Sequence, residues 1–527
     1  MRAWSELRAF TSYLVGLYGF LRTTASEDEC RRRVHRQLEG RDEAFVRMLA
    51  AGVFADSRSP YGRMCREAGI ELGDAEALVR AEGLEATLER LLDAGVYLTL
   101  DELRGRSPVR RGGLEFIARP EDFDNPLARI DYGTRSGGSR SSGMPVGTDL
   151  RLLEYHAGYV PMVMDAFGLR GRPMALWFPT APATTGIRIL LTHAKLGLRN
   201  ERWFSQSRTV PGKASARQAA LTWATVLMSK LRGSALPKPE YTPPEDAGRV
   251  AEWLAEAKRR TGPALLHTTP GSAVRVCLAA DELGIDISDS FFRLGGEPYT
   301  PARARVVAAA GCRAASNYYM VELGGYLGLA CASAEEFDDV HLLTDKVAVV
   351  QRDKHLDHEA TVGALSYTTL HPLSPKVLIN LASDDYGVLR RRDCGCPIGR
   401  SGFGLHLHGI RSHDKLTSEG VTFIGSDLIK LVEEVLPSRF GGSATDFQLV
   451  EGDDHGLPSV AIVVSPRIGD IDEDKVVETM ISFLRSSGRA QAMMAEMWRT
   501  SGTLRVVRRQ PYVTAAAKIP ALHVLRD

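Results

Sequence analysis

The sequence has no long hydrophobic run. Nowhere in its 527 residues does an apolar stretch reach the roughly 20 residues that a membrane-spanning helix requires. The most apolar early segment, residues 10–21, is short and follows Glu6 as well as Arg2 and Arg8, whereas a secretory signal has a purely basic start and a small-residue cleavage site. We therefore expect an amphipathic first helix in a cytoplasmic protein that does not enter a membrane.

An excess of charge of one sign is missing as well. The 66 Lys and Arg residues stand against 65 Asp and Glu residues, which gives a formal net charge of +1 and no overall field for holding a polyanion. Nucleic acid is therefore not an expected partner. Cysteine is scarce too, and seven cysteines in so long a chain indicate reduced thiols rather than a disulfide framework. We find no internal repeat.

The residues that are present suit an enzyme of several domains. An apolar content of 44% supports ordinary packed cores, and the length suggests roughly two to four domains. Residues 1 to about 105 are dense in Arg, Glu, Leu and Ala at helical spacing, as in residues 74–92. This spacing predicts a helical region that buttresses the rest of the fold.

An α/β body is predicted after this region. From Tyr132 onwards, short apolar runs at residues 174–178 and 187–191 alternate with helical stretches such as residues 215–231. The alternation is typical of strand-and-helix units, in which the short apolar runs form the strands. A proline-rich passage at residues 236–244 marks a loop between two sub-regions.

The last part of the chain predicts a small α+β domain. A break falls near residues 399–412. Beyond it, residues 426–436 and 474–484 have helical patterns, and residues 459–464 have the pattern of a strand.

A hydroxyl-dense loop at residues 134–145 is the first candidate for chemistry. Its glycines allow the backbone to fold tightly around an oxyanion, and its amides and serine hydroxyls can donate to phosphate oxygens. Alone, such a run is equally typical of a solvated linker. Two later segments follow it in order, Gly-Gly-Glu-Pro at residues 295–298 and Asn-Tyr-Tyr-Met-Val-Glu at residues 317–322. Together, the three segments predict a site that handles ATP.

These segments resemble motifs of the adenylate-forming (acyl-CoA synthetase) superfamily, in particular its phenylacetate-CoA ligase-like branch. Residues 295–298 resemble the adenine-side loop of that branch, and residues 318–322 fall where the family has Tyr-Gly-x-Thr-Glu. Residues 410–416 resemble the family's hinge, and Lys518 lies where the family keeps its adenylating lysine. The resemblance covers about residues 50–527. The residues that resemble the phosphate loop are Ser136, Gly137, Gly138, Ser139, Arg140, Ser141, Ser142 and Gly143.

The resemblance implies a fold and a reaction. The fold is a large N-terminal α/β adenylation domain, residues 1–408, with a helical buttress over about 1–105 and an α/β body over about 106–408. A small mobile α+β domain, residues 409–527, follows. The reaction is an ATP-dependent ligation in which a carboxylate attacks the α-phosphorus of ATP and expels pyrophosphate. The acyl group of the resulting acyl-adenylate then passes to a thiol, and AMP leaves. The simplest thiol is coenzyme A.

The resemblance also assigns roles to charged residues. Glu322 would hold Mg²⁺, and Lys518 would bridge the carboxylate and the α-phosphate oxygens. Arg140 would add a second positive group to the phosphate loop. For Lys518 the alternative is an exposed lysine in the tail, and for Arg140 it is a side chain that faces water.

Nucleotide contacts follow from the same motifs. The backbone of Gly295, Gly296, Glu297 and Pro298 would cover one face of adenine, and Tyr318 or Tyr319, beside Asn317, would cover the other by stacking. The alternative is a turn followed by buried aromatic residues. Asp393 is our candidate for the ribose hydroxyls, with Asp384 and Asp385 as alternatives. Arg411 and Asp414 would lie at the hinge, although a charged, solvated turn explains them equally well.

Four residues suggest a metal site. Cys394 and Cys396 place two thiols within reach of one ion, and Cys331 and His341 supply two further ligands upstream. Such a set suits tetrahedral Zn²⁺ in a closed structural site. The resemblance supports it, because related proteins carry a similar arrangement. His406 and His408 are rival ligands, and the alternative is a buried cysteine beside an idle reduced pair.

Departures from the family pattern leave the substrate and the acceptor open. Val321 replaces the usual Thr and removes a hydroxyl that would donate to the nucleotide phosphate. Tyr319 replaces a Gly and crowds the acyl pocket, which predicts a smaller substrate. Aromatic residues in segments 176–179 and 318–319, together with residues 267–271, favour an aryl or arylacetic acid, although core packing explains the Trp and Phe residues equally well. Alternative acceptors are a carrier protein or an amine in natural-product biosynthesis. A hypothesis of another class is a catalytically degenerate, nucleotide-binding scaffold. The oligomeric state stays open, a homodimer included.

Overall fold

The computed structural model describes most of the chain, namely residues 2–135, 144–180, 183–207, 213–356, 360–412, 416–418, 421–423, 425–454, 457–487, 495, 504–514 and 518–525. The predicted phosphate-loop residues 136–143 and Asp414 lie outside these ranges.

The α-helices of the described residues are α1 Arg2–Leu21, α2 Glu27–Glu39, α3 Arg41–Leu49, α4 Pro60–Glu67, α5 Leu72–Glu82, α6 Leu84–Asp93, α7 Leu100–Leu103, α8 Leu150–His156, α9 Tyr159–Phe167, α10 Thr185–Lys195, α11 Lys213–Leu231, α12 Ala247–Arg260, α13 Pro270–Glu282, α14 Pro301–Ala309, α15 Pro397–Arg400, α16 Gly425–Lys430, α17 Leu436–Phe440 and α18 Glu473–Ser487.

The β-strands of the same part of the chain are β1 Leu98–Thr99, β2 Val109–Arg111, β3 Leu114–Phe116, β4 Tyr132–Arg135, β5 Pro145–Thr148, β6 Met174–Trp177, β7 Arg202–Ser205, β8 Pro239–Tyr241, β9 Leu265–Thr268, β10 Phe291–Gly295, β11 Arg313–Met320, β12 Gly325–Ala330, β13 Val340–Leu342, β14 Val347–Leu356, β15 Ala360–Thr369, β16 Leu381–Arg391, β17 Leu405–Ser412, β18 Leu416–Ser418, β19 Val421–Phe423, β20 Phe447–Asp454, β21 Leu457–Val464, β22 Leu504–Arg508 and β23 Leu522–Val524.

The chain divides into two compact units, each made of separate segments. The first unit comprises Met1–Gly137, Gly143–Tyr241 and Ala315–Ile410, and the second comprises Gly138–Ser142, Thr242–Ala314 and Arg411–Asp527. The last passage between the units thus falls between Ile410 and Arg411. The predicted division into domains 1–408 and 409–527 stays a prediction.

The first unit begins with the predicted helical region, α1 to α7. Short-range caps define several of its helix ends. Ser26 caps α2 by accepting the Glu29 N–H, and Thr99 and Glu102 form a reciprocal capping box at α7. In the described residues, no helix is long and apolar enough to cross a membrane.

The sheets of the first unit contain parallel and antiparallel strands. One run of neighbours has the order β14-β15-β16-β17-β13-β12-β11, and its β14-β15-β16 and β17-β13-β12-β11 parts are antiparallel. A second run, β6-β7-β8, is parallel. The buried faces of the first run pack against α3 to α6 through a large apolar core that includes Phe45, Leu88 and Leu365.

One predicted strand is wrong. Residues 187–191 belong to helix α10 rather than to a strand. A five-residue apolar run fits a buried strand and the inner face of a helix equally well. Here Ile187, Ile189, Leu190, Leu191 and Ala194 are all buried, so the helix is covered on most of its sides, and burial shows no period that would separate it from a strand.

The second unit contains a smaller mixed sheet. Strands β9 and β10 pair in parallel, and a separate four-stranded sheet has the order β22-β21-β20-β23. Side chains of α16 to α18 pack on that sheet, with Leu436, Phe447, Ile462 and Leu484 in the core. The predicted fold class, an α/β body with a helical start and an α+β C-terminal part, is confirmed.

Candidate functional site

A β-hairpin holds the two ends of the predicted phosphate loop. Strands β4 and β5 are antiparallel, with Tyr132 opposite Thr148 and Arg135 opposite Pro145. The Tyr132 ring is buried and packs edge-on against Tyr13 of α1, with 5.4 Å between the ring centroids. The two paired strands thus lie on either side, in the sequence, of the residues that the resemblance assigns to phosphate. Arg140 itself lies outside the described residues.

The predicted magnesium ligand lies on a tight turn between β11 and β12. Val321–Leu323 form one 3-10 turn, and Glu322 on it is 7% exposed. Gly324 and Gly325 follow with φ angles of +88° and +108°, which residues other than glycine rarely adopt. The chain can therefore reverse directly after Glu322. Asn317 ties the two strands together, since its Oδ1 accepts the Ala330 N–H at 3.3 Å.

Tyr318 brings one of the three ribose candidates to this segment. Its hydroxyl donates to Asp385 Oδ2 at 2.5 Å, and the Tyr367 hydroxyl donates to Tyr318 at 3.2 Å. Burial, and then the Asp385 charge, raise the pKa of Tyr318 far above its ordinary value, so the tyrosine stays a neutral donor. Asp393 is exposed and accepts the Gly395 N–H at 3.2 Å. Of these two carboxylates, Asp385 is the one that is hydrogen-bonded to Tyr318.

Tyr319 packs against a tyrosine of the next strand. The Tyr319 and Tyr326 rings are 4.4 Å apart at their centroids, and Tyr326 meets His156 edge-on at 5.5 Å. Trp177, which the sequence placed among the acyl-pocket candidates, is fully buried in the core. Two tyrosines, one from each of the strands that flank the Glu322 turn, are thus in contact.

Arg188 is a charged residue that the sequence reasoning missed. It projects from α10, and its Nη2 donates to the Gly324 carbonyl at 2.9 Å. A Cβ on residue 325 would lie 2.6 Å from the same nitrogen, so only glycine allows this approach. Its charge also acts on Tyr132, at the base of the phosphate-loop hairpin. Among the described residues, no carboxylate forms an ion pair with Arg188. The one signal in the sequence was a cation inside an otherwise apolar run.

A buried ionisable cluster lies near this turn. The Lys346 Nζ is 3.2 Å from His156 Nε2, and the Tyr155 and Tyr159 hydroxyls donate to Asp345 at 2.5 and 2.6 Å. Burial lowers the pKa of Lys346 to about 7, against the opposing pull of Asp345. Tyr155 also contacts the His371 ring, with 4.1 Å between the ring centroids.

In the second unit, the predicted adenylating lysine meets the predicted adenine-side turn. Gly295 ends β10, and Gly296 follows with a φ of +88°. A Cβ on residue 296 would lie 3.2 Å from Lys518 Cε. One residue further along each segment, Glu297 Oε1 accepts the Ile519 N–H at 3.0 Å. Two motifs from distant parts of the sequence are thus in contact.

The four predicted zinc ligands come together in the first unit. One donor atom from each of Cys331, His341, Cys394 and Cys396 lies within 4.8 Å of all the others. His341 Nε2 is 3.1 Å from Cys396 Sγ and 3.7 Å from Cys394 Sγ. A hydrogen bond from Cys331, together with His341, holds the pKa of the Cys396 thiol far below its usual range. The donor set and its spacing fit a tetrahedral zinc site.

Neighbouring groups orient these donors. His341 Nδ1 donates to the Phe403 carbonyl at 2.6 Å, which leaves Nε2 free to bind a metal. The rival ligand His406 donates from Nδ1 to Asp339 at 2.8 Å, and together with Asp339 and Cys331 it forms a second possible set. Arg392 also pairs with Asp339. The first set, with three thiols and an oriented imidazole, is the better match to zinc.

No protein-family model and no curated protein matches the chain. Solved structures do. A 2-hydroxyisobutyryl-CoA ligase in complex with 2-HIB-AMP and CoA matches 95% of this chain and 91% of its own at 15% identity, with a TM-score of 0.47. An anthranilate CoA ligase in complex with anthranoyl-AMP matches 87% and 88% at 12% identity and a TM-score of 0.44. A benzoate CoA ligase from Burkholderia xenovorans LB400 matches 75% of this chain and 68% of its own at 14% identity, with a TM-score of 0.44.

These likenesses are too distant to carry activity or substrate to this chain. The matched proteins are described as acyl- and aryl-CoA ligases. The phenylacetate-CoA ligase-like branch stays a prediction.

Proposed function

We propose that the chain is an ATP-dependent carboxylic acid ligase that forms an acyl-adenylate and passes the acyl group to a thiol, most simply coenzyme A. The contact of Lys518 with Gly296 supports this most directly. A lysine near the end of a chain is ordinarily solvated, and nothing in its local sequence requires it to meet a glycine turn far upstream. An adenylating lysine has to meet the nucleotide there.

The chemistry explains why such residues are needed. Resonance makes a carboxylate a poor electrophile, and its attack on the α-phosphorus of ATP converts it into a mixed anhydride and releases pyrophosphate. Negative charge then crowds the attacking and leaving oxygens, so fixed positive groups and donors lower the barrier. Lys518 supplies a point charge on a flexible stem. Glu322 would hold Mg²⁺, which when bound neutralises charge on the phosphate oxygens.

Other residues are assigned by their contacts. Asp385 is the preferred ligand of the ribose hydroxyls, because Tyr318 holds its carboxylate beside the segment that would cover adenine. Arg188 is proposed as an anion contact near the Glu322 turn. The predicted phosphate loop, with Arg140, keeps its assigned role.

A structural zinc ion is part of the proposal. Cys331, His341, Cys394 and Cys396 would fill its four positions, which leaves none for water or substrate. Asp338 lies three residues before the zinc candidate His341 in sequence. Its carboxylate accepts the N–H groups of Gly409 and Ile410 at 2.9 and 3.0 Å. The metal would therefore stiffen the part of the first unit that holds the residues before the predicted hinge.

The acid is proposed to be aryl or arylacetic. The tyrosines around the Glu322 turn offer flat apolar faces with polar edges, which suit a ring that carries hydroxyl or amino groups. A carrier protein or an amine as the acceptor would use the same first half-reaction. The scaffold alternative draws on Val321 and Tyr319, where the chain departs from the family pattern.

The test is acid-dependent exchange of pyrophosphate into ATP, measured over a panel of aryl and alkyl acids, with mass analysis of the product with and without CoA. We expect exchange with aryl acids. Lys518→Ala should abolish it while thiol transfer from preformed acyl-AMP continues. Equal loss of both half-reactions would contradict the role of Lys518, and tight ATP binding without any exchange would favour the scaffold.

A further inference from the structure

Glu297 is a buried carboxylate with three donors. Its Oε2 accepts the Gly271 N–H at 2.9 Å and Arg303 Nη1 at 2.7 Å, and its Oε1 accepts the Ile519 N–H at 3.0 Å. The side chain is 4% exposed. A carboxylate is needed here because both of its oxygens must accept, which an amide or a hydroxyl cannot reproduce.

Arg303 joins Glu297 to a second buried carboxylate. Its Nη2 lies 3.0 Å from Glu433 Oε1, and all three side chains are 4% exposed. The Thr300 hydroxyl, which caps α14, donates to Glu433. Burial alone would lower the pKa of Arg303, but Glu433 and Glu297 outweigh it and hold that pKa above its ordinary value. The guanidinium therefore stays charged and fixes the orientation of Glu297.

Hydrogen bonds fix the backbone of Lys518 on both sides. Thr514 and Lys518 exchange two of them, from the Thr514 N–H to the Lys518 carbonyl at 2.8 Å and from the Lys518 N–H to Thr514 Oγ1 at 3.1 Å. The bond from Ile519 to Glu297 ties this backbone to the segment after β10. Its loss would remove a direct link between the residue that follows Lys518 and the residue that follows Gly296.

We propose that Glu297 is a positioning residue that sets Lys518 in place for adenylate formation, and that the Arg303–Glu433 pair aims the Glu297 carboxylate at the Ile519 N–H. What Lys518 does once it is in place rests on the function proposed above. A lysine on a flexible stem contributes to catalysis only if it is held near the reacting atoms, and a misplacement of about 1 Å costs on the order of 100-fold in rate.

The Glu297 contact should affect the two half-reactions differently. Adenylate formation needs Lys518 against the glycine turn, whereas a thiol attacks an acyl-adenylate that has already formed and no longer needs the lysine between the carboxylate and the α-phosphate. Loss of the Glu297 contact should therefore slow the first half-reaction and spare the second. A purely structural role would instead slow both through loss of folded protein.

The first experiment compares Glu297→Gln with Glu282→Gln. Glu282 is exposed, pairs with Arg467 on the surface and provides the same change of charge in the same unit. In Glu297→Gln the amide oxygen should turn to Arg303, so that the amide nitrogen faces the Ile519 N–H. Because a hydrogen bond to a charged group is lost, amide exchange of residues 518–525, followed by mass spectrometry, should become at least about tenfold faster. Tryptic cleavage after Lys518 should accelerate likewise.

The second experiment uses two adjacent glutamates. Glu433→Gln weakens the buried pair, whereas Glu434→Gln removes a half-exposed charge that lies 3.9 Å from Arg305. We expect Glu433→Gln to slow acid-dependent pyrophosphate release by about 10- to 100-fold, with transfer from preformed acyl-AMP within about threefold of the wild type. Glu434→Gln should leave both rates unchanged.

Two results would overturn the positioning role of Glu297. Unchanged exchange and cleavage at residues 518–525 in well-folded Glu297→Gln would overturn the positioning role, as would equal slowing of both half-reactions by Glu433→Gln. If Glu297→Gln does not fold, the Glu433 and Glu434 variants still decide the question. Failure of the proposed function looks different, because the wild type would then release no pyrophosphate while Glu297→Gln still exposed Lys518.

Discussion

Arg188 illustrates what one side chain can add to a candidate site. Its guanidinium is half-buried, contacts the Gly324 carbonyl and has no carboxylate partner among the described residues. A positive group in such surroundings is most stable when an anion completes it. The proposed reaction brings two anions, the acid's carboxylate and the α-phosphate. Either one fits a planar guanidinium that can donate two parallel hydrogen bonds.

Replacement of Arg188 should identify that anion. Arg188→Gln removes the charge, and we expect kcat/KM for adenylate formation to fall about 10- to 100-fold. A rise in KM for the acid alone would assign Arg188 to the carboxylate, and a rise in KM for ATP alone would assign it to the phosphate. Arg47→Gln, at an exposed position of α3, serves as the control. Unchanged constants for both substrates would remove Arg188 from the site.

At the scale of elements, the cysteine cluster depends on strands that meet from different parts of the chain. Cys331 follows β12, His341 lies in β13, and Cys394 and Cys396 lie between β16 and α15. Strand β13 pairs with β12 on one side and with β17 on the other. A metal that joins these segments closes long loops, so its binding energy adds to the stability of the first unit.

Removal of two ligands should release the zinc. In Cys394→Ser with Cys396→Ser, metal analysis should find less than about one tenth of the wild-type zinc, and the melting temperature should fall by at least about 5 °C. Cys65→Ser replaces a buried thiol away from the cluster and should keep its zinc. His406→Gln should also keep it, because this histidine belongs to the rival set. Wild-type protein that contains no zinc would contradict the metal assignment.

Local patterns were enough to predict some elements and not others. The helical start was predictable, because the helices of its first 105 residues repeat their apolar residues at helical spacing over long segments. The run at residues 187–191 was too short for its periodicity to distinguish a strand from a helix. Because it was assigned to a strand, Arg188 was not predicted as a site residue. The cysteine set followed from residue type and spacing together with the family resemblance. The three donors to Glu297 did not, since Gly271, Arg303 and Ile519 come from segments that only the folded chain brings together.

For the molecule as a whole, a nearly neutral net charge goes together with ionisable groups that are buried in the first unit. Four ionisable groups of the first unit, His156, Asp345, Lys346 and His371, are nearly or completely buried. Burial, and then the Lys346 charge, lower the pKa of His371 to about 3 and that of His156 well below its ordinary value. Each imidazole is therefore neutral in the folded protein and gains a proton easily only in the unfolded chain. Folding is thus linked to pH through groups that are buried in the folded protein and reach solvent only on unfolding.

The lowered pKa of His371 should make the folded protein less stable as the pH falls. Between pH 6.5 and pH 3 the unfolded chain binds one more proton at His371 than the folded protein does, so stability falls as the pH falls. At pH 5 this residue alone should cost about 2 kcal/mol relative to pH 7. His371→Asn removes the titration and can keep the turn, because the amide oxygen can replace Nδ1 as the acceptor of the Leu373 N–H.

Urea unfolding of the wild type and of His371→Asn at pH 7 and pH 5 measures the effect. We expect the loss of stability over this interval to be smaller by about 2 kcal/mol in the variant, while His156 keeps its own contribution in both proteins. His35→Asn, at an exposed position of α2, should behave like the wild type. Equal losses in the wild type and His371→Asn would mean that the imidazole is charged in the folded protein, and that the buried cluster tolerates a further positive charge.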